Sequence, residues 1–233
     1  MTYQRKWPIV LLATTISSFT TPFMGSSVNV ALPAIGRDFS MDALSLSWVA
    51  SSFLLAAAIM LVPLGRLADL FGRRIFFLSG SLIFSLSSLL SIWPETESLF
   101  IALRVVQGIG AAMVFSTGTA LLVSAYPAGE RGKMLGINIA AVYTGLTAGP
   151  FIGGLLTQHL GWQAIFIVNA ALGLAAAVLA ASAAGVLTGC DGGGSEIPSA
   201  TIGLGEFEVT MTGNMTITGD EVVGNENANG YLC

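Results

Sequence analysis

Six long apolar runs, separated by short polar segments, constrain the fold of this chain more than any other feature. Each run reaches the roughly 20 residues that a helix needs to cross a hydrocarbon layer of about 30 Å. Backbone N–H and C=O groups find no water in that layer, and a helix satisfies all of them within one segment. We therefore predict six transmembrane helices, at residues 7–32, 46–64, 75–93, 99–125, 135–156 and 162–187.

The composition favours the same class of protein. Hydrophobic residues make up 54% of the chain and charged residues 9%, whereas an ordinary soluble domain carries about 25% charged residues. The first run is too long for a signal peptide and lacks its small-residue cleavage pattern, so it is kept as a helix. The predicted fold is an all-α bundle of six helices embedded in a lipid bilayer.

The basic residues predict how the bundle is oriented in the cell membrane. Cytoplasmic loops of membrane proteins are enriched in Lys and Arg. Apart from Arg104, which lies inside a span, only Arg37 falls in a loop on the opposite side. Both termini are therefore predicted to be cytoplasmic, on the side that holds Arg5, Lys6, Arg66, Arg73, Arg74, Arg131 and Lys133.

The chain changes character after Leu187, and residues 188–233 form a Gly-rich acidic tail. Seven of the thirteen acidic residues lie there, so the net charge of −4 belongs to the tail and indicates no nucleic-acid partner. Alternation of side-chain types in residues 206–218 around Gly213 predicts a small β-hairpin. A lone hairpin is marginal in water, so the tail is expected to be partly disordered. On the reducing cytoplasmic side, Cys190 and Cys233 are expected to be free thiols.

Residues 65–74, Gly-Arg-Leu-Ala-Asp-Leu-Phe-Gly-Arg-Arg, stand out between the second and third runs. We expect a charged loop here, with glycines that allow a tight turn and close helix approach. A plain cytoplasmic loop would also be basic, but two glycines seven apart with an aspartate between them favour a functional motif. The candidate residues are Gly65, Asp69, Gly72, Arg73 and Arg74.

An internal echo of this segment predicts a repeat. Gly154 and Gly161 are seven residues apart, as Gly65 and Gly72 are. Each lies 89 positions after its counterpart, and Phe166 lies 89 positions after Phe77. One segment follows span 2 and the other follows span 5, so the two lie on opposite membrane faces. Such a pattern is typical of an inverted three-plus-three repeat.

Span 4 contains Arg104, Gln107 and Gly108. A central arginine costs about 2.5–3.5 kcal/mol on insertion scales, so Arg104 is expected to face a cavity or a polar partner. The alternative is that Arg104 lies near the outer end of the span and extends its head group to the interface.

Span 5 carries the most specific pattern in the chain. Three of its glycines fall at i, i+4 and i+8 and form a smooth stripe against which another helix can pack. The proline removes one backbone hydrogen bond and is expected to bend the helix. The full set is Gly136, Gly145, Gly149, Pro150, Gly153 and Gly154.

Together these motifs resemble the N-terminal half of the major facilitator drug:proton antiporters, most closely the fourteen-span group. Residues 65–74 resemble the loop between spans 2 and 3 of that family, and the span 5 pattern resembles its antiporter motif. Arg104, Gln107 and Gly108 resemble its span 4 motif, which the resemblance associates with proton transfer. Residues 26–33, Ser-Ser-Val-Asn-Val-Ala-Leu-Pro, resemble the end of its span 1. The similarity covers roughly residues 8–187.

The resemblance implies proton-coupled efflux of drugs by alternating access between two six-span bundles. In two respects the chain departs from the family. Met24 stands where the family has an acidic residue five positions before Asn29, and only one bundle is present. We expect a truncated or frameshifted half-transporter that would need a second six-span half or a homodimer. The alternative function is a non-transporting membrane anchor that presents the tail as an interaction segment.

Polar and adaptable side chains within the spans are candidates for a cavity that takes a small amphipathic substrate. Each could equally stabilise contacts between helices. A single histidine in a loop, His159, and the absence of nucleophile or metal motifs argue against an enzyme, and no metal or cofactor is expected. The cavity candidates are Asn29, Met60, Gln107, Asn138 and Tyr143.

Overall fold

The computed structural model describes residues 7–183 and, in the tail, residues 200–204, 207–212 and 214–219. The chain divides into two compact units, Met1–Asp191 and Gly192–Cys233, and each is described by itself. The described part of the first unit is made of α1 (Trp7–Asp38), α2 (Ala43–Phe71), α3 (Arg73–Leu90), α4 (Glu97–Ala125), α5 (Ala128–Leu160) and α6 (Gln163–Ser182).

All six helices are long and apolar enough to cross a membrane, which confirms the six predicted spans. Most of them extend beyond the apolar runs: α1 continues to Asp38, and α5 begins at Ala128. Once a helix has formed, each added residue gains one hydrogen bond, so the helix can continue where the side chains become polar. By contrast, α3 and α6 end earlier than predicted, at Leu90 and Ser182.

The expectation of a ten-residue loop at residues 65–74 was wrong. α2 runs through Phe71 and α3 begins at Arg73, so Gly72 is the only residue between them. Gly72 has φ 102°, a conformation that only glycine adopts without strain. Its N–H donates to the carbonyl oxygen of Ala68 at 3.0 Å. The segment is helical because its interior residues are mostly good helix formers.

Helix packing confirms the inverted repeat. α1 packs along α5 as α4 packs along α2, and α3 packs against α4 as α6 packs against α1. Exchanging the first three helices with the last three therefore reproduces the same set of contacts. Gly161, which links α5 to α6, has φ 88° and matches Gly72. The side chains of Phe77 and Phe166, at equivalent positions, are both fully buried.

An aromatic cluster closes one end of the bundle. Phe100 stacks on Phe39 with ring centroids 5.5 Å apart and meets the edges of Trp162 and Phe166. The indole Nε1 of Trp162 donates to Oδ2 of Asp38 at 2.6 Å. This cluster joins the C-terminal end of α1 to α4 and α6.

The described part of the second unit is a three-stranded antiparallel sheet in the order β1 (Ala200–Leu204), β2 (Phe207–Thr212) and β3 (Asn214–Gly219). The predicted hairpin corresponds to β2 and β3, which pair with Met211 opposite Met215. β1 was not predicted. The predictions for Cys190, Cys233 and tail disorder fall outside the described residues.

Candidate functional site

Arg104 lies in the second turn of α4 and is buried, with 1% of its surface exposed. Its Nε donates to the backbone carbonyl oxygen of Val49 on α2 at 3.0 Å. One terminal nitrogen donates to Oε1 of Gln107 at 2.5 Å. The alternative in which Arg104 extends to the membrane interface is therefore wrong, because the side chain points into the bundle and is held there.

Gln107 extends this network to a third helix. Its Nε2 donates to Oγ of Ser88 on α3 at 2.6 Å, and that hydroxyl donates to the carbonyl oxygen of Phe84. Gln107 is completely buried. In this structure the amide of Gln107 is used between helices, as the alternative of a stabilising contact between helices predicts.

The charge of Arg104 is offset by dipoles and aromatic faces. The guanidinium carbon lies 4.6 Å from the ring centroid of Phe53 and 6.0 Å from that of Phe166. Within residues 7–183, Arg104 forms no ion pair. Because arginine cannot be deprotonated in a protein, this group supplies a fixed positive charge.

Gly108 explains how α2 comes close enough for the carbonyl of Val49 to reach Arg104. A Cβ atom at Gly108 would lie 2.9 Å from Cβ of Ala56 and 2.5 Å from the carbonyl oxygen of Phe53. Any larger residue would therefore push α2 away from α4.

Met24, which the resemblance aligns with an acidic residue, is fully buried on α1. It belongs to an apolar cluster that also contains Val28, Phe53 and Phe166. The side chain at this position therefore faces the interior of the bundle.

The glycine stripe of α5 packs directly on α1. Cβ atoms at Gly145 and Gly149 would overlap the carbonyl oxygen of Phe19 and the hydroxyl of Ser26, and a Cβ at Gly153 would lie 2.8 Å from Cβ of Ser27. Ser26 and Ser27 donate to the carbonyl oxygens of Gly145 and Gly149 at 3.4 and 3.1 Å. Sequence reasoning found the glycines but not these two serine hydroxyls, whose residue type is common in membrane helices.

The other members of the span 5 motif do not join this contact. Gly136 has no atom within 4 Å of an added Cβ, and a Cβ at Gly154 would make an ordinary 3.5 Å contact with Val30. Pro150 is exposed, and α5 continues through it.

The residues of the 65–74 motif lie on α2 and α3 and contact two further helices, α4 and α6. Nε of Arg73 lies 2.8 Å from Oδ1 of Asp69, and both side chains are about half exposed. Arg74 donates to the carbonyl oxygen of Ala181 on α6 at 3.4 Å. Gly65 lies within α2, where an added Cβ would be 3.5 Å from Cβ of Ser116 on α4.

A cavity of about 260 Å³ lies between α1, α4 and α5. Of the predicted cavity residues, Asn138 lines it. Asn29 and Tyr143 are exposed on α1 and α5, Met60 is half-buried on α2, and none of these three lines this cavity. Residues that sequence reasoning missed complete the lining: Thr14, Ser17, Ser18, Val114, Phe115, Gly118, Thr119, Leu135, Ile139 and Val142.

The sequence is similar to those of several membrane transport and drug-resistance proteins. The chain is 35% identical over 176 residues to the riboflavin transporter RibZ of Clostridioides difficile, covering 76% of this chain and 38% of the relative. It is 35% identical over 174 residues to the tetracenomycin C resistance and export protein of Streptomyces glaucescens, covering 75% and 32%. It is 38% identical over 166 residues to the multidrug resistance protein Stp of Mycobacterium tuberculosis, covering 71% and 31%. The chain thus spans about a third of the length of these relatives.

The fold also matches a solved transporter. The proton:xylose symporter XylE bound to 6-bromo-6-deoxy-D-glucose aligns with a TM-score of 0.69 at 17% identity, covering 77% of this chain and 45% of XylE. The sequence profile of the Major Facilitator Superfamily matches residues 14–199. The ordered motifs, the inverted repeat and this match agree: the chain belongs to the Major Facilitator Superfamily.

Proposed function

We propose that residues 7–183 form one six-helix half of a transporter that exports small amphipathic organic compounds across the cell membrane, with both termini in the cytoplasm. The observation that carries the proposal is the cavity between α1, α4 and α5, in which a few polar groups interrupt mainly apolar walls. Ligand sites for small organic molecules have this composition. The names of the relatives, a riboflavin transporter and two drug-resistance proteins, favour the same class of cargo.

Transport by alternating access needs a second bundle that moves against the first. α2 and α5 are the least buried helices of the six. Large apolar side chains project from both, among them Leu54, Ile59 and Val62 on α2 and Leu146 and Phe151 on α5. These faces support docking of a second six-helix half, whether it is covalently linked or a second copy of this chain.

The 65–74 motif would act as a gate at the end of this interface. Asp69 and Arg73 are exposed on the last turn of α2 and the first turn of α3, where a second bundle could contact them. The glycine stripe would instead hold α1 and α5 together as one rigid body during the movement.

Proton antiport is the coupling mode that we propose. Arg104 supports it as a buried fixed charge that would lower the pKa of an acid brought near it. Every acidic residue of the described bundle lies at or near a helix end or in a connecting segment. The proton-carrying acid would accordingly come from the second half.

Reconstitution tests the proposal. The purified full chain is inserted into proteoliposomes, its oligomeric state is measured, and riboflavin movement is followed by fluorescence with and without a pH gradient. Gradient-dependent riboflavin movement by an assembly of at least twelve spans would support it. If dimers form and neither riboflavin nor tetracenomycin C moves, autonomous transport by this chain is wrong.

A membrane anchor remains the second candidate function. The separate sheet of β1, β2 and β3 favours it, because this unit could bind a protein partner in the cytoplasm. Deleting residues 192–233 distinguishes the two functions: a transporter half keeps its riboflavin transport, whereas an anchor loses its partner and has no transport to lose.

A further inference from the structure

The cavity between α1, α4 and α5 contains polar groups that no other part of the described chain satisfies. Some buried hydroxyls donate to a carbonyl one turn earlier, as Thr20 and Thr117 do at 2.7 and 2.6 Å, whereas those of Thr15, Ser52 and Ser81 have no partner in the described part of the chain. Ser17, Ser18 and the exposed Thr119 line the cavity, and their hydroxyl groups form no hydrogen bond within residues 7–183. Three hydroxyl groups are therefore available to a bound molecule.

Asn138 also lines the cavity and has a buried amide oxygen, Oδ1, without a hydrogen-bond partner in the described part of the chain. The residue is 5% exposed. A buried unpaired carbonyl is costly. The terminal amide torsion of asparagine is broad and roughly two-fold, so rotation about it would let the amide present an acceptor or donors to the cavity.

The remaining walls exclude a charged occupant. Val114, Phe115, Leu135, Ile139 and Val142 are apolar, and no Asp, Glu, Lys, Arg or His lines the cavity. An ion would lose its hydration there without gaining a counter-charge. The volume of about 260 Å³ falls just below the range of roughly 300–1,000 Å³ of sites for drug-sized ligands.

We propose that this cavity binds an uncharged one-ring or two-ring group that carries an amide-like donor and acceptor, and that Asn138 pairs with that edge. The inference rests on the proposed function and specifies its substrate class: a neutral compound, or the neutral end of a larger one. Ser17, Ser18 and Thr119 would bond its remaining polar atoms, while the apolar walls cover the ring.

Two probes of the same shape test the proposal. The full chain in nanodiscs is titrated with benzamide, a neutral ring with a primary amide, and with benzamidine, which is positively charged at pH 7. Benzamide is expected to raise the thermal unfolding midpoint saturably, and benzamidine is not. The Asn138→Leu variant is expected to bind benzamide about tenfold or more weakly, whereas Thr144→Val, on the exposed face of α5, is expected to respond like the wild type.

Asn138→Leu removes an unpaired buried carbonyl, so without ligand it is expected to unfold at the same or a higher temperature. If this variant no longer responds to benzamide, the cause is then the loss of the contact with Asn138 and not unfolding. Equal responses to both probes, an unchanged response of Asn138→Leu, or no saturable response of the wild type would each overturn the proposal. Riboflavin transport without any benzamide response would overturn this inference alone, and a benzamide response without transport would overturn only the proposed function.

Discussion

Ser27 Oγ donates a 3.1 Å hydrogen bond to the backbone carbonyl oxygen of Gly149, so a polar side chain of α1 lies directly against the glycine stripe of α5. In a bilayer the hydrophobic effect provides no attraction between helices, so close packing and such bonds hold them together. The bond exists because Gly149 has no side chain to keep the two backbones apart.

Replacing Gly149 by alanine is expected to weaken the α1–α5 contact. The new methyl group would overlap the hydroxyl of Ser26 and lie 2.9 Å from its Cβ, a form of overpacking that costs about 1–3 kcal/mol. Gly136→Ala is the matched control on the same helix, because no atom lies within 4 Å of its added Cβ. It is expected to be neutral or stabilising by up to about 1 kcal/mol. Equilibrium unfolding in mixed micelles measures both, and equal losses would contradict the packing described here.

Arg104 and Gln107 are expected to act as a coupled pair. Arg104→Leu leaves Oε1 of Gln107 unpaired, and Gln107→Leu leaves the guanidinium with one partner fewer, each at a cost of about 1–3 kcal/mol. The double variant is expected to cost less than the sum of the two, with a coupling of about 0.5–3 kcal/mol. The exposed Arg37→Leu serves as a control and is expected to stay within about 0.5 kcal/mol. Strict additivity would show that the 2.5 Å contact contributes nothing.

Asp69→Asn is expected to separate stability from transport. The Asp69–Arg73 pair is exposed, and such pairs contribute less than about 1 kcal/mol. Riboflavin transport is nevertheless expected to fall at least about tenfold if Asp69 contacts the second bundle. Glu95→Gln, an exposed acid elsewhere on the bundle, is the control. Full transport by Asp69→Asn would remove the gating role proposed for this motif.

Trp162→Phe is expected to destabilise the bundle because it removes the 2.6 Å bond to Asp38 but keeps an aromatic ring in the cluster. Hydrogen bonds to charged groups contribute about 1.5–3 kcal/mol. Trp93, which is 73% exposed, offers a matched control, and Trp93→Phe is expected to leave the thermal midpoint unchanged. Similar midpoints for the two variants would show that the bond to Asp38 is unimportant.

The carboxylate of Asp42 at the start of α2 is expected to make the thermal stability of the protein depend on pH. The backbone N–H of Ser45 donates to its carboxylate at 2.8 Å and holds the pKa of Asp42 below its ordinary value. The stabilisation is therefore present above the ordinary pKa of about 3.9 and is lost as the pH falls through the lower value in the folded protein. Thermal midpoints between pH 3 and 7 are expected to show an acid-dependent loss in the wild type that Asp42→Asn lacks. Parallel curves would contradict this role.

The sequence predicted the features that short-range physics and the bilayer impose. Apolar length located six helices, and the spacing of Gly145, Gly149 and Gly153 indicated a face for close packing. The correspondence between Gly72 and Gly161 could be recognised in the sequence because each joins two helices with a positive φ, which glycine tolerates best. The same reasoning failed at residues 65–71, since charged residues mark the end of the hydrocarbon layer but do not end a helix.

The sequence did not predict which residues of different helices contact each other. Arg104 donates to the backbone carbonyl oxygen of Val49 on α2, 55 positions earlier in the chain. Every residue has such a carbonyl, so the residue type at position 49 does not indicate this contact. Ser17, Ser18 and Thr119 belong to residue types that occur throughout the chain, so nothing marked them as cavity residues. Gln107 and Asn138 were equally plausible as cavity residues until their surroundings were known.

The sequence by itself determined that this protein has six membrane-spanning helices in two related sets of three, because a helix satisfies every backbone group of an apolar run of about 20 residues within that run. Only the tertiary structure decided that Gln107 is used between helices while Asn138 lines a cavity. An amide side chain bonds to whatever lies beside it, and what lies beside it depends on how the helices pack.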